Sequence, residues 1–285
     1  MEFIEILKAI LFGFVEGITE WLPISSTGHM ILLDEFVKLD VSTSFYDVFQ
    51  VVIQLGAILA VVLLFWNKFF PFGKKHNKHP LARTGILSYV KADKIELWLK
   101  ILVACVPAAV IGLLFDEQLN AWFYNYQTVA IALIVFGIAF LVIEDYNKGK
   151  RPKMNSLAEI TFQAALLIGV FQLIAAVFPG TSRSGATIIG ALLLGVSRTA
   201  AAEFTFVLAI PVMFGASLLK IVKFGFAFTA SEVMILVIGM VVAFIVSAIS
   251  IRFLMNYVKK HDFKFFGWYR IVLGVLVLAY FIFLG

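Results

Sequence analysis

Glu16 and Glu20 stand four residues apart, and the chain then runs Trp21-Leu22-Pro23-Ile24-Ser25-Ser26-Thr27-Gly28-His29 before turning apolar again at Met30. On a helix the two carboxylates share one face. Two acids on one buried face either share a proton or bind a cation, and Mg²⁺ commonly takes one or two carboxylates plus substrate phosphates. The plainer alternative is a pair of solvated glutamates at a helix end. A serine after Pro23 suits the N-cap of a returning helix, Ser25 and Ser26 being the candidates. The free N–H groups of such a helix start, around Ser25, Ser26 and Thr27, form an anion site strengthened by the helix dipole. His29 is the one histidine within an apolar segment; it reads as a base, acid or nucleophile, or else as a structural hydrogen bonder. His76, His79 and His261 sit among lysines in loops and read as solvated.

A second polar stretch, Pro179-Gly180-Thr181-Ser182-Arg183-Ser184-Gly185, repeats the cap logic and adds an arginine. A guanidinium matches phosphate oxygens through paired N–H bonds, which an ammonium cannot do. Arg183 has no acid in its own motif. It therefore reads either as a ligand for an anionic substrate or as an ion-pair partner of Glu16 or Glu20. Ser182 and Ser184 flank it as further phosphate donors. Together the two stretches suggest a phosphate site, with an arginine and two helix starts holding the anion and hydroxyls and a histidine doing the chemistry.

The elements that carry these residues are hydrophobic. The chain of 285 residues is 62% hydrophobic and only 14% charged, with mean hydropathy +0.99. A soluble protein would carry roughly a quarter charged residues. The fold class is therefore an all-α polytopic membrane protein. A β-barrel is excluded, because its strands alternate over about 10 residues. No cleavable leader is evident, and the net charge of +5 needs no nucleic acid to explain it. The single Cys105 reads as a packed thiol. Six spanning helices are predicted at about 47–66, 97–115, 127–144, 203–222, 232–252 and 268–284. Regions 3–36 and 157–196 are apolar arms broken by the polar motifs, and each is predicted to be a re-entrant helical hairpin. Charge and hydroxyl groups at membrane depth need a packed or wet setting.

Basic residues cluster in three loops: 67–100, including Lys68, Lys74, Lys75, Lys78, Arg83, Lys91, Lys94 and Lys100; 145–156; and 253–267. By the positive-inside rule these are cytoplasmic, and the basic-poor loops near 116–126 and 223–231 are outside. This holds if the first hairpin enters from outside and the second from inside, with both termini outside. Residues 1–285 then form one membrane domain of two inverted repeats, about 1–146 and 157–285. Gly13, Pro23, Ser25 and Ser26 align with Gly169, Pro179, Thr181 and Ser182. Inverted repeats with interrupted helices near the midplane suit transporters, and the two tips should meet at the repeat interface.

The motifs Glu-Gly-x-Thr-Glu-x-Leu-Pro-x-Ser-Ser-Thr-Gly-His at 16–29 and Pro-Gly-x-Ser-Arg-Ser-Gly-x-Thr at 179–187 resemble the two signatures of the undecaprenyl pyrophosphate phosphatase family linked to bacitracin resistance. The stretches 52–61 and 195–204, and Tyr269-Arg270, add to the likeness, which covers essentially the whole chain. The resemblance implies hydrolysis of the C55 isoprenyl diphosphate to the monophosphate carrier of cell-wall synthesis. It also implies a divalent cation, Mg²⁺ or Ca²⁺, and an outward-facing site in the bacterial cytoplasmic membrane. Glu16, Glu20, Ser26, His29 and Arg183 fall on positions the family treats as catalytic or essential. Gln50 stands where the family often has Glu. The separate phosphatase motif Ser-Arg-x5-His-x3-Asp is absent after both Ser182-Arg183 and Ser197-Arg198.

The expected mechanism has Glu16 and Glu20 holding the metal and Arg183 binding phosphate. Ser26 attacks, with His29 as base; His29 itself or water is left open as the nucleophile. The alternative function is a transporter or flippase of a lipid phosphate, which would use the same ligands and release no phosphate. A purely structural membrane protein would have no use for a buried Glu-Glu-Ser-His-Arg set. The expected partners are the lipid substrate and membrane lipids, with a homodimer left open.

Overall fold

The computed structural model describes residues 3–74, 80–82, 85–225 and 227–283. Lys75, His76, Lys78, His79 and Arg83, part of the first basic loop, lie outside the described residues. The described residues form ten α-helices: α1 Phe3–Thr19, α2 Ser26–Phe36, α3 Thr43–Phe69, α4 Ala92–Phe123, α5 Tyr126–Asn147, α6 Phe162–Val177, α7 Arg183–Leu193, α8 Arg198–Phe224, α9 Ala230–Tyr257 and α10 Lys264–Phe283. Six of them, α3, α4, α5, α8, α9 and α10, contain segments long and apolar enough to cross a membrane. They coincide with the six predicted spans. The remaining four are the arms of the two broken regions, at 17 and 11 residues in the first and 16 and 11 in the second. At 1.5 Å per residue an 11-residue arm reaches about half of a 30 Å hydrocarbon core.

The spans are longer than hydropathy suggests because capped polar turns extend them. The side chains of Ser42, Asn125, Ser197 and Thr229 accept from the N–H groups of Phe45, Thr128, Ala200 and Glu232. Two loop assignments need correction. Helix α4 begins at Ala92, so Lys94 and Lys100 are helical, and Lys100 is buried with its ammonium donating to Ala158 O. Residues 116–123 continue α4 instead of forming a loop: the sequence turns polar at Asp116, Glu117, Gln118 and Asn120, but no proline or glycine after Gly112 breaks the helix before Phe123.

Apolar side chains such as Leu59, Val135, Val241 and Val275 are exposed, while Glu16, Glu20, Thr187, Ser247 and Arg270 are buried. That inversion is what a lipid solvent produces: apolar faces meet hydrocarbon, and polar groups turn inward. Where lipid replaces water, helices associate mainly by close packing, which small residues permit. Helix α1 lies on α9 and α6 lies on α4. At these two crossings a Cβ on Gly13 would sit 2.5 Å from Gly239 O, and one on Gly169 would sit 2.3 Å from Ala104 O. Helix α3 also packs on α8, α5 on α10, α2 on α10 and α7 on α5. Exchange the five helices of one half for the five of the other, and each of these pairings maps onto a pairing in the same set.

Candidate active site

Each broken region turns at a serine in a left-handed conformation. Ser25 has φ 74° and Ser182 has φ 70°, and among the described residues these are the two non-glycine positions with positive φ. Such backbone costs about 1–3 kcal/mol and persists only where surrounding contacts enforce it. Each serine caps the helix that follows: Ser25 Oγ accepts from Gly28 N at 3.3 Å, and Ser182 Oγ accepts from Gly185 N at 3.2 Å. The equivalent of Ser25 is thus Ser182, a spacing of 157, and not Thr181 as the alignment by Pro23 and Pro179 expected. Between proline and cap, the second tip carries one residue more. Thr181 Oγ1 is buried without a hydrogen-bond partner.

The two tips meet at Glu20. Its Oε2 accepts from Ser26 Oγ at 2.8 Å, and its Oε1 accepts from Arg183 Nη2 at 2.9 Å. Its backbone carbonyl accepts from Ser184 Oγ at 3.1 Å. One carboxylate therefore joins the hydroxyl of the first helix start to the guanidinium of the second. Arg183 Nη1 also donates to Thr205 O, Nη2 reaches Met213 Sδ, and Cζ stands 6.0 Å from the Trp21 ring. A guanidinium has five N–H donors, so these contacts leave capacity for an anion. Ser182 and Ser184 hydroxyls lie 3.1 Å apart beside it.

His29 takes a different partner from the one expected. Its Nδ1 lies 2.7 Å from Ser25 O, a carbonyl that can only accept, so Nδ1 carries the proton in the neutral ring. Nε2 is then the lone-pair nitrogen, and it accepts from Tyr269 OH at 2.7 Å. The rings of His29 and Tyr269 are near parallel, 5.6 Å between centroids. No hydrogen bond links His29 to Ser26, whose hydroxyl goes to Glu20. Three residues along a helix put the two side chains on neighbouring faces, but the tight tip turns Ser26 back toward α1.

Glu16 is 1% exposed and its Oε1 has no hydrogen-bond partner. A buried carboxylate oxygen left unpaired is costly unless something binds it. Glu20 follows one turn later on the same face. Among the described residues no group of three or more His, Cys, Asp and Glu could hold a metal ion. An all-protein cage is therefore absent there, whereas two carboxylates completed by hydroxyls, water and phosphate oxygens fit a hard cation.

Sequence reasoning missed Thr205 altogether, and it noted Tyr269 and Arg270 only as part of the family likeness, without a place at the site. Arg270 is fully buried and donates to Pro23 O, Gly180 O and Thr181 O. A lone arginine inside the apolar α10 was the signal that could have found it.

A family model described as bacitracin resistance protein BacA matches residues 9–276. The chain is 68% identical over 281 residues to the undecaprenyl-diphosphatase of Desulfitobacterium hafniense, covering 99% of this chain and 98% of that one. It is 63% identical over 282 residues to undecaprenyl-diphosphatase 1 of Clostridium acetobutylicum, covering 99% of each. It is 59% identical over 278 residues to an undecaprenyl-diphosphatase of Enterococcus faecalis, covering 98% of each.

Proposed function

The chain belongs to the family described as bacitracin resistance protein BacA, and we propose that its paired hairpin tips are where it hydrolyses undecaprenyl diphosphate to undecaprenyl phosphate and inorganic phosphate. The observation that carries this reading is the junction at Glu20, where Ser26 from one tip and Arg183 from the other share a single carboxylate.

The diphosphate head binds between the tips while the polyprenyl tail stays in lipid. Arg183 and the N–H groups that open α2 and α7 hold the phosphate oxygens, since the first N–H groups of a helix have no partner within it. Ser25, Thr27, Ser182 and Ser184 cap or line these helix starts. Ser26 Oγ attacks the terminal phosphorus, and its proton passes to Glu20 Oε2, which already accepts its hydrogen bond. The bond from phosphorus to the bridging oxygen breaks and undecaprenyl phosphate leaves. Water then attacks the phosphoserine; its proton passes to Tyr269 OH as that hydroxyl gives its own to His29 Nε2, and Ser26 Oγ recovers its proton from Glu20. Glu16 and Glu20 would hold Mg²⁺ or Ca²⁺, which would stabilise charge on the phosphoryl group.

Quenching the purified protein with substrate labelled in its terminal phosphate, then digesting and mapping, tests the mechanism. Label on Ser26 is expected. Label on His29 would make Nε2 the nucleophile, and turnover with no labelled residue would leave attack to water.

The halves are read as inverted repeats: a hairpin that does not cross and three helices that do place α6 on the opposite side from α1. The basic residues of the 148–161 loop put that loop inside, and the site between the tips is proposed, on the family likeness, to open outward from the bacterial cytoplasmic membrane. In a Cys105→Ser background, an impermeant thiol reagent on intact cells is expected to label a cysteine at Tyr124 and spare one at Gly149. The opposite pattern would reverse the orientation.

A further inference from the structure

We propose that Arg270 is a positioning residue for phosphoryl transfer: its guanidinium ties the backbones of both hairpin tips together and so sets the distance between the helix start bearing Ser26 and the helix start bearing Arg183. The inference rests on the reading of the tips as the active site. Arg270 is 0% exposed in the middle of an apolar helix. A buried guanidinium ordinarily takes a carboxylate partner. Among the described residues none is bonded to Arg270. Nη1 donates to Pro23 O of the first tip at 3.3 Å, and Nη2 donates to Gly180 O and Thr181 O of the second at 3.1 and 2.6 Å. One rigid planar group thus binds carbonyls from segments more than 150 residues apart in the chain. A trans peptide points its N–H opposite its carbonyl, so turning Thr181 O onto Arg270 turns the Ser182 N–H away from it. Gly185, in the first turn of α7, leaves the room this needs. A Cβ there would stand 2.8 Å from Arg270 Nη1. The preceding residue, Tyr269, holds His29. Helix α10 therefore supports the site through two adjacent side chains.

The test is a steady-state analysis of Arg270→Lys and Gly185→Ala, purified in detergent and checked by thermal unfolding, on undecaprenyl diphosphate. Lysine keeps the charge but not the fork. Alanine at 185 displaces the guanidinium while contacting mainly its flexible end, so the fold survives even if Arg270→Lys does not fold. Both variants are expected to keep KM within about 3-fold and to lose about 10²-fold in kcat, the scale of a misplacement of about 1 Å. Combining Gly185→Ala with Arg183→Lys is expected to cost far less than the product of the single losses, since a misplaced arginine has little left to lose. Near-normal kcat in a folded variant would overturn the proposal. So would losses that simply multiply, which would leave Arg270 a support of the fold alone. A harmless Arg183→Lys would instead sink the reading of the tips, and the two failures are thereby told apart.

Discussion

At the first tip the helix after the serine cap begins Ser26, Thr27, Gly28, His29; at the second it begins Arg183, Ser184, Gly185, Ala186. Both returning helices have 11 residues, both caps have φ near 70°, and both cap hydrogen bonds end on the third residue along. The arms leading in match as well, with buried Glu16 in α1 answered by buried Gln172 in α6, 156 positions on. The backbone is thus common, and the chemistry is divided. The first half brings two carboxylates, a hydroxyl and an imidazole, whereas the second brings a guanidinium and two flanking hydroxyls. In the proposed reaction the attacking hydroxyl comes from the first tip and the cation for phosphate from the second, whose own Ser184 hydroxyl is taken up by Glu20 O. Glu20 is where the division is bridged, since it accepts from Ser26 and from Arg183.

Removing that bridge should have the largest effect. Glu20→Gln takes away the proton acceptor of Ser26 and the counter-charge of Arg183 together. A loss of about 10³-fold in kcat is expected, with KM little changed, because the group acts mainly in the transition state. Glu16→Gln gives the first arm the residue of the second. It should cost about 10-fold in kcat and raise the Mg²⁺ or Ca²⁺ concentration needed for half-maximal turnover. Activity of the unaltered protein that persists undiminished in chelator would remove the cation from this account.

On the other side of the bridge, Arg183→Lys separates two roles. A point charge is enough to balance Glu20, but it cannot grip a phosphoryl group through two parallel N–H bonds. The expected loss is about 10²-fold in kcat/KM, or roughly 2.7 kcal/mol of transition-state stabilisation. The protein must unfold at its normal temperature in detergent, so that lost chemistry is not confused with lost structure. Near-normal turnover in such a protein would make Arg183 a counter-ion and confine the phosphate site to the first tip.

The frame of this comparison was largely legible in the residue order. Six spans follow from apolar runs of about 20 residues, and two hairpins follow from proline, glycine and hydroxyl residues interrupting shorter runs. Both serine caps and the meeting of the tips could be expected on the same grounds. What was not legible depends on side-chain direction across a turn. Ser26 lies three residues from His29 and six from Glu20, yet its hydroxyl goes to Glu20 because the tip folds α2 back along α1. The register of the second tip was misjudged by one, since Thr181 and Ser182 both carry hydroxyls and only the backbone shows which one caps. Arg270 was noted only for the family likeness, and its role at the tips was not read. Its partners are carbonyls, which every residue has, so no pattern of side chains could name them.

The smallest expected effect tests whether the two tips are the same device at all. Ser25→Ala and Ser182→Ala each delete one cap hydrogen bond and leave an L-residue at the same positive φ, so the backbone strain is unchanged and only the cap is lost. An N-cap serine is worth about 0.5–2 kcal/mol. In a chain of this size that corresponds to a fall of about 2–4 °C in Tm per kcal/mol. Glycine at either position loses the same hydrogen bond but relieves the strain, so Ser25→Gly and Ser182→Gly should lie above their alanine counterparts. The expected result is two matching pairs: equal losses for the alanines, and equal, smaller losses for the glycines. Activity should break the match. Ser25 O also holds His29 Nδ1, so a loosened first tip disturbs both Ser26 and His29, whereas a loosened second tip disturbs Arg183, which Glu20 and Thr205 O still hold. Ser25→Ala should therefore lose more turnover than Ser182→Ala at equal Tm. If thermal unfolding in detergent instead separates the two alanine variants by more than the cap is worth, the tips differ in their backbones as well as in their side chains, and the common frame is an accident of helix length.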